Sequence, residues 1–341
     1  MIAVSIAVCS KGRPEELRAL AKSLRKLIDN NQSVLAELVI IEDVSELESN
    51  LRPETVKEAD QYHVIDVHEA GFGLIRQAAV DAANGAIIIF IDDDCLPCND
   101  SWLPDLLQPF SDQDVVAVGG GIVPQEGNAI TKAIALIGLP AGGLPRLIVA
   151  NEEDQTSDVL STGNLALRRS AVLDIGGFDT QHRFGGEDQQ LVGKLIGKKL
   201  FLARALVAHR NRDSFADVWR WFVRRGQGEY KINQLSGMGG FLAMISPVRW
   251  SWSWRLLVLG VIGFFLGFSG LGALLLLYYL LLLAKIVMEM RGVPKIQAVA
   301  EKKESCFQLP AILIAPVLRI WMDFAREWGR LKECLSNKES R

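Results

Sequence analysis

Two hydrophobic spacings alternate along the first 245 residues of this 341-residue chain. Short apolar runs mark strands, and apolar positions three or four apart mark helices. Ala3 to Val8 is the first run. Pro14 then opens a helix in which Leu17, Leu20, Leu24 and Leu27 share one face. Leu38 to Ile41 is a second strand, closed by Glu42-Asp43. Tyr62 to Val67 is a third, and Gly73 to Asn84 is a helix stopped at Asn84-Gly85. The most informative junction follows. Ile87-Ile88-Ile89-Phe90-Ile91 is apolar throughout, as in a strand buried on both faces, and it ends in Asp92-Asp93-Asp94. Val115 to Val118 and Asn164 to Leu167 are further strands, and the run Leu200 to Val207 leads to His209. Ile130 to Ser161 is apolar but broken by Pro140-Ala141-Gly142-Gly143-Leu144-Pro145. It is too irregular for one long helix, and reads as a mobile loop over the site or a membrane-proximal acceptor loop. Strands alternating with helices predict an α/β class and a doubly wound, mostly parallel sheet.

Beyond residue 245 the pattern changes. Leu256 to Val287 is apolar apart from Ser269, two tyrosines and Lys285. As one helix it would run about 48 Å, well beyond a hydrocarbon core of ~30 Å. Phe268-Ser269-Gly270 offers a turn, so a hydrophobic helical hairpin is predicted, with one tilted span or a re-entrant pair as other membrane arrangements. A buried pair of soluble core helices is the bland reading. Trp250, Trp252 and Trp254 suit an interfacial belt, and Gly263 and Gly267 have the spacing of close membrane-helix contact. Arg249 and Arg255 precede the apolar segment. Lys285, Arg291 and Lys295 lie at its far end, which predicts that both flanks are cytoplasmic. Leu309 to Trp321 is shorter and interrupted by Pro310, Pro316 and Arg319. It is predicted to be an interfacial amphipathic helix with Arg319, Arg326 and Arg330 near anionic headgroups. The expected division is therefore 1–245, 246–290 and 291–341. No signal peptide is read at the start, since no basic segment precedes Ile2 to Val8.

A net charge of −3 supplies no basic field for nucleic acid. Cys9, Cys95, Cys98, Cys306 and Cys334 are scattered, unlike a disulfide framework, which favours a reducing compartment. Cys95-Leu96-Pro97-Cys98 has redox or zinc spacing, but no second pair or nearby histidine completes a site along the chain. Gly71-Phe72-Gly73-Leu74-Ile75-Arg76 imitates a dinucleotide fingerprint. It follows no strong first strand and has Arg76 where the last glycine belongs, which argues against a dehydrogenase.

Open α/β sheets bind ligands outside the carboxyl ends of their strands. Three carboxylates clustered there repel one another, and a hard divalent cation, Mg²⁺ or Mn²⁺, relieves that repulsion. Asp43, the pair Glu187-Asp188 and His209 also fall where loops leave predicted elements. Each has a plain alternative: a solvated acidic turn, a helix cap, a structural histidine.

Taken together these segments resemble family 2 glycosyltransferases of the GT-A fold over roughly residues 1–245. Val4-Ser5-Ile6-Ala7-Val8-Cys9-Ser10-Lys11-Gly12-Arg13-Pro14 is similar to the family's first strand and Asn-Arg-Pro turn, with Gly12 replacing asparagine. Ile41-Glu42-Asp43-Val44-Ser45 resembles its base-contacting acidic turn. Gly73-Leu74-Ile75-Arg76-Gln77 resembles its Gly-x-x-Arg-Asn helix start, with Gln77 for asparagine. Asp92-Asp93-Asp94 matches its Asp-x-Asp metal motif. Gly163-Asn164-Leu165-Ala166-Leu167-Arg168-Arg169, Gly176-Gly177-Phe178-Asp179, Gly186-Glu187-Asp188 and Val207-Ala208-His209 follow in the family's order.

The resemblance implies a metal-dependent, inverting transfer of one sugar. It assigns Asp94, Asp92 and His209 to Mn²⁺ or Mg²⁺. Ser10, Lys11, Arg13, Asp43, Arg76, Asp92 and Asp93 fall to the nucleotide-sugar, a UDP-sugar by preference. Asp188 becomes the general base, with Glu187 beside it. The implied acceptor is lipid-linked or a membrane-proximal saccharide, and the catalytic part faces the cytoplasm at the cell membrane. Arg220, Arg224, Arg225 and Lys231 would meet a lipid diphosphate or anionic lipid, or form an ordinary solvated face. Two rival readings stand beside this one. A processive polysaccharide synthase would carry Gln-x-x-Arg-Trp, of which Asp217-Val218-Trp219-Arg220-Trp221 keeps only Arg-Trp. The other is a catalytically silent membrane scaffold that binds nucleotide sugars.

Overall fold

The strand read at Ile87–Ile91 sits inside the sheet, each of its five residues at most 2% exposed. The computed structural model describes residues 3–43, 52–65, 71–150, 154–180, 186–235, 252–265 and 271–339. The strands are β1 (Ala3–Lys11), β2 (Leu35–Asp43), β3 (Gln61–Ile65), β4 (Ile87–Asp92), β5 (Cys95–Pro97), β6 (Val115–Pro124), β7 (Gln155–Thr156), β8 (Asn164–Arg168) and β9 (Lys198–His209). The helices are α1 (Pro14–Asn30), α2 (Arg52–Glu58), α3 (Phe72–Ala82), α4 (Trp102–Leu107), α5 (Ala129–Leu136), α6 (Gly143–Val149), α7 (Arg169–Asp174) and α8 (Glu187–Lys194). They continue with α9 (Phe215–Leu235), α10 (Trp252–Phe265), α11 (Leu271–Glu289), α12 (Gln297–Cys306) and α13 (Leu309–Glu339).

The sheet runs β3-β2-β1-β4-β8-β6-β9-β5, and β7 joins β9. β1, β2, β3 and β4 are parallel, as βαβ alternation requires. β8 runs antiparallel to both β4 and β6, while β6 and β9 are again parallel. Leu17, Leu20 and Leu24 of α1 are at most 1% exposed, each burial worth roughly 1.5–3 kcal/mol. The third predicted strand begins one residue earlier than expected, and residues 66–67 lie outside the described residues. The irregular segment 130–161 is not one loop. It contains most of α5, all of α6 and β7, with a glycine- and proline-rich turn between the two helices.

A glycine-rich stretch explains how a polar side chain is buried at the sheet's centre. In β6, a Cβ on Gly120 would collide with the Asn164 side chain and the Ala205 carbonyl. Asn164 occupies that space. Its amide donates to the carbonyls of Gly121 (3.0 Å) and Ala205 (2.8 Å), and its oxygen accepts from Trp102 Nε1 (3.0 Å).

Contacts divide the chain into two units, residues 1–125, 149–210 and 295–299 in the first, and 126–148, 211–294 and 300–341 in the second. The boundaries expected from composition follow hydrophobicity along the chain, whereas these follow packing, so α5 groups with the later helices. Within the second unit, α9 and α13 cross on two glycines. A Cβ on Gly226 would meet the Arg326 carbonyl oxygen, and one on Gly329 would meet that of Val223. Charged side chains surround the crossing. Arg330 pairs with Glu229, Lys231 with Glu333 at 3.1 Å, and Arg326 with Asp323 at 3.5 Å. Burial pushes the Glu327 carboxyl up to about 7, against the opposing pull of Arg330 and Arg326.

Leu309 to Trp321, read as an interfacial helix, is amphipathic, with Leu309, Leu313, Val317 and Trp321 exposed along one side. The segment is the first part of α13, which buries Ala311, Ala315, Leu318, Met322 and Ala325, and Arg326 and Arg330 pair with protein carboxylates. The basic face of α9 is similarly engaged: Arg220 holds Asp217 at 2.5 Å, and Arg225 lies over Phe222. Of the expected hairpin, α10 has 14 residues and α11 has 19, and the turn at 268–270 lies outside the described residues. Among the described residues one helix, Gly272–Glu289, is by itself long and apolar enough to cross a membrane.

Two stability measurements test this packing. Asn164→Leu leaves an indole N–H and two carbonyls without partners, and urea unfolding is expected to show a loss of at least about 2 kcal/mol. Gly226→Ala sets a Cβ against backbone that cannot yield, an expected loss of ~1–3 kcal/mol. Gly193→Ala, where a Cβ meets nothing within 4 Å, should be neutral or stabilising.

Candidate active site

The aspartate cluster lies where β4 ends beside the end of β1, with Cys9 opposite Asp92 in the parallel register. The chain turns immediately, so the three carboxylates diverge. Asp93 accepts from Ser10 Oγ at 2.7 Å and from Arg13 Nη1 at 2.7 Å. Asp94 meets the same Arg13 nitrogen at 2.5 Å through Oδ2, and its Oδ1 lies 3.3 Å from His209 Nε2. Asp92 lies 3.3 Å from Arg76 Nη2. Burial pushes the Asp93 carboxyl up to about 7. Arg13 pulls against that rise, and neighbouring Asp94 adds to it.

Ser10, Arg13, Asp93, Asp94 and His209 are thereby brought together. Lys11 and Asp43 form a neighbouring pair at 2.8 Å, set opposite each other by the β1–β2 register, with the Asp43 carboxylate buried. Arg76 forms a bridge. It is 7% exposed, lies over the Phe72 ring, and pairs with both Asp92 and Glu187. The expectation that Arg76 adds charge beside the nucleotide is therefore modified, since its guanidinium is taken up by two carboxylates. Glu187, 3% exposed, opens α8 from a left-handed Gly186 at φ 97°. Asp188 follows it, half-buried, and its Oδ1 accepts from the Gln189 amide at 2.8 Å.

Other motif residues support this frame. Gln77 Oε1 accepts from the Phe178 amide at 2.8 Å, in the space that a side chain on Gly177 would fill. Phe178 packs edge-on against Phe90 of β4 at 5.4 Å. Gly163 brings the chain so close to Asp92 that a Cβ there would stand 3.1 Å from Oδ2.

Three side chains stand close enough together to hold one metal ion, and they are not the three expected. Asp94, Cys95 and His209 each offer an atom within 4.8 Å of the others. Asp92, expected as a ligand beside Asp94, is not in that group. β4 stops at Asp92 and the chain turns through Asp93 and Asp94, so the two-residue alternation that would align 92 with 94 is lost. Cys95 joins because β5 pairs antiparallel with β9, setting Cys95 opposite His209. No histidine is near it along the chain, and this pairing supplies one. Burial, followed by the charges of Asp94, Asp92 and Asp93, holds the Cys95 thiol well above the usual range. The donors, one carboxylate, one thiol and one imidazole in a buried niche, fit a divalent cation.

Residues 5–176 match the profile of a family described as Glycosyl transferase family 2. The chain belongs to that family. Among curated relatives, the family 2 chain is 25% identical over 236 residues to the O-antigen biosynthesis protein RfbC of Myxococcus xanthus. That match covers 63% of this chain and 18% of the relative. It is 24% identical over 174 residues to glycosyltransferase AglE of Haloferax volcanii, covering 50% and 54% respectively. It thus spans at most about half the length of either protein. Among solved structures, it resembles mannosyltransferase PcManGT from Pyrobaculum calidifontis, in complex with GDP-Man and Mn²⁺. The TM-score is 0.51 at 13% identity, covering 92% of this chain and 85% of that one, a likeness of fold alone.

The Arg76–Glu187 pair of the family 2 domain generates a test. Removing one partner of a buried ion pair strands the other, so Glu187→Leu is expected to cost ~3–5 kcal/mol in urea unfolding. Combining it with Arg76→Met should recover most of that loss. Additive losses would show that the two side chains are not coupled.

Proposed function

We propose that the protein transfers one sugar from a nucleotide-sugar, a UDP-sugar in this reading, to a lipid-linked or membrane-proximal saccharide acceptor, inverting the anomeric carbon. One observation carries it. The carboxylates form two groups on different elements: the Asp92–Asp94 cluster beside His209, and Asp188 at the start of α8. The first suits a charged leaving diphosphate and the second an acceptor hydroxyl.

A divalent cation held by Asp94 and His209, Mn²⁺ or Mg²⁺ on the carboxylate chemistry, would supply Lewis-acid charge to the departing diphosphate. Asp43, kept in place by Lys11, pairs with an N–H of the base. Ser10 and Arg13 fix Asp93, and Arg13 brings positive charge to the same end of β1. Asp188 accepts the acceptor's hydroxyl proton while that oxygen bonds to the anomeric carbon and the bond to the diphosphate breaks. Base catalysis of this kind contributes typically about 10²- to 10⁴-fold. Glu187, buried against Arg76, is a positioning residue that sets where α8 begins.

Membrane attachment is part of this reading and rests on α11. Gly272–Glu289 would extend about 27 Å, close to a hydrocarbon core of ~30 Å, and Leu276, Leu277, Leu280 and Leu281 are exposed along it. With α10 and α11 inserted as a hairpin, Arg255 before it and Arg291 and Lys295 after it lie on one side, which favours a cytoplasmic catalytic unit. A processive synthase is disfavoured. Trp221 of the Arg-Trp motif packs edge-on against Phe222 at 5.0 Å beneath Arg212, and Arg220 is held by Asp217.

Two substitutions test the assignment. With Mn²⁺ and UDP-sugars, Asp188→Asn should lower donor hydrolysis and sugar transfer by about 10²-fold or more while leaving donor affinity intact. Equal measurable rates would refute Asp188 as the base, and no turnover by either protein would favour a silent binding protein. Asp94→Ala should abolish metal-dependent nucleotide binding, measured by thermal shift across UDP-, GDP- and dTDP-sugars, and unchanged affinity would refute the cation assignment.

A further inference from the structure

The metal-ligating trio differs from an all-oxygen site in a way that bears on which ion it takes. Asp92 is committed to Arg76, and Asp94 is the trio's one carboxylate. Directly opposed residues of antiparallel strands project to the same side of a sheet, and Cys95 is directly opposed to His209. Asp94 Oδ1 and His209 Nε2 are already 3.3 Å apart. Two ligands of one tetrahedral ion stand roughly 3.5 Å apart, given bonds of about 2.0–2.3 Å. The thiol lies within 4.8 Å of both, in reach of the same ion. All three are secluded: Cys95 is 0% exposed, Asp94 7% and His209 9%. Cys98, exposed at the other end of the motif, is outside the group.

We propose that Cys95 is a direct ligand of the site's cation, and that its sulfur makes the site prefer Zn²⁺, Co²⁺ or Cd²⁺ to Mg²⁺. The inference rests on the reading that a cation sits at Asp94, and it adds the ion class. On binding, the sulfur–metal bond forms as the thiol proton leaves to solvent. Thiolate and imidazole suit borderline and soft ions, whereas Mg²⁺ demands oxygen and octahedral geometry.

Calorimetry on the purified full-length protein in detergent, titrated separately with Zn²⁺, Mn²⁺ and Mg²⁺, tests this. Cys95→Ser and Cys95→Ala are expected to weaken Zn²⁺ at least about tenfold while shifting Mg²⁺ by less than about twofold. Cd²⁺ added to a Cys98→Ser background should raise the near-ultraviolet thiolate–metal absorption, and Cys95→Ser should remove it. A Zn²⁺-to-Mg²⁺ preference and Cd²⁺ absorption both unchanged by Cys95→Ser would overturn the proposal. X-ray absorption at the zinc edge of the unsubstituted protein decides the matter if the variants do not fold. One sulfur neighbour supports the ligand, and only nitrogen and oxygen neighbours overturn it. Asp94→Ala separates the two levels. If it leaves all ions bound as before, the cation reading itself fails. If it abolishes binding while the Cys95 variants keep their selectivity, the sulfur ligand alone fails.

Discussion

Like charges forced together at the end of a buried strand must be balanced, and that requirement organises the elements around the aspartate cluster. β4 is apolar to its last residue before the acids, so Asp93 and Asp94 emerge where little solvent can screen them, beside a partly exposed Asp92. With Glu187 they are four carboxylates, and Arg13 and Arg76 are the two guanidiniums that meet them. The formal excess is two negative charges, the complement of one divalent ion. Burial first, and neighbouring Asp94 after it, pushes the Asp93 carboxyl up to about 7 against the pull of Arg13, so negative charge is costly at this strand end.

The same requirement explains which elements converge. Arg13 reaches the cluster from the start of α1, fixed by Pro14 at the first helical position and by the end of β1. Arg76 projects from α3 and joins β4 to α8, so the aspartate cluster and the start of α8 share one buried guanidinium. β9 returns His209 to the cluster, and the Arg210 amide donates to the Asp94 carbonyl at 2.9 Å. Each contact is long in sequence and short in space.

Much of this is legible in the residues, and the failures have identifiable causes. A strand buried on both faces has to be apolar throughout, so Ile87–Ile91 announces itself. The direction of β8 does not, because composition carries no record of which way a strand runs. Asn164 reads as an ordinary strand start. Its role as a hub depends on Gly120 leaving room, a relation between strands that are not adjacent in sequence. Cys95 looks unaccompanied until β5 and β9 pair. Pro310 and Pro316 suggest a broken helix. Pro310 sits in the first turn, where no backbone partner is lost, and Pro316 lies inside a helix whose buried face outweighs a cost of ~3 kcal/mol.

Glu187 and Asp188 show why residue type alone leaves roles open. They are adjacent acids in the first turn of the same helix, where the dipole favours negative charge at both positions. Successive helical positions point about 100° apart, so one carboxylate turns inward to Arg76 and the other stays half-buried. A carboxylate locked to a buried guanidinium is committed to holding the fold, whereas Asp188 meets the Gln189 amide at the start of its own helix. Exchanging the two residues would preserve composition, charge and dipole while placing the ion pair on the wrong face. The pair is therefore specified by helix phase, and the base assigned to Asp188 depends on Glu187 occupying the buried one.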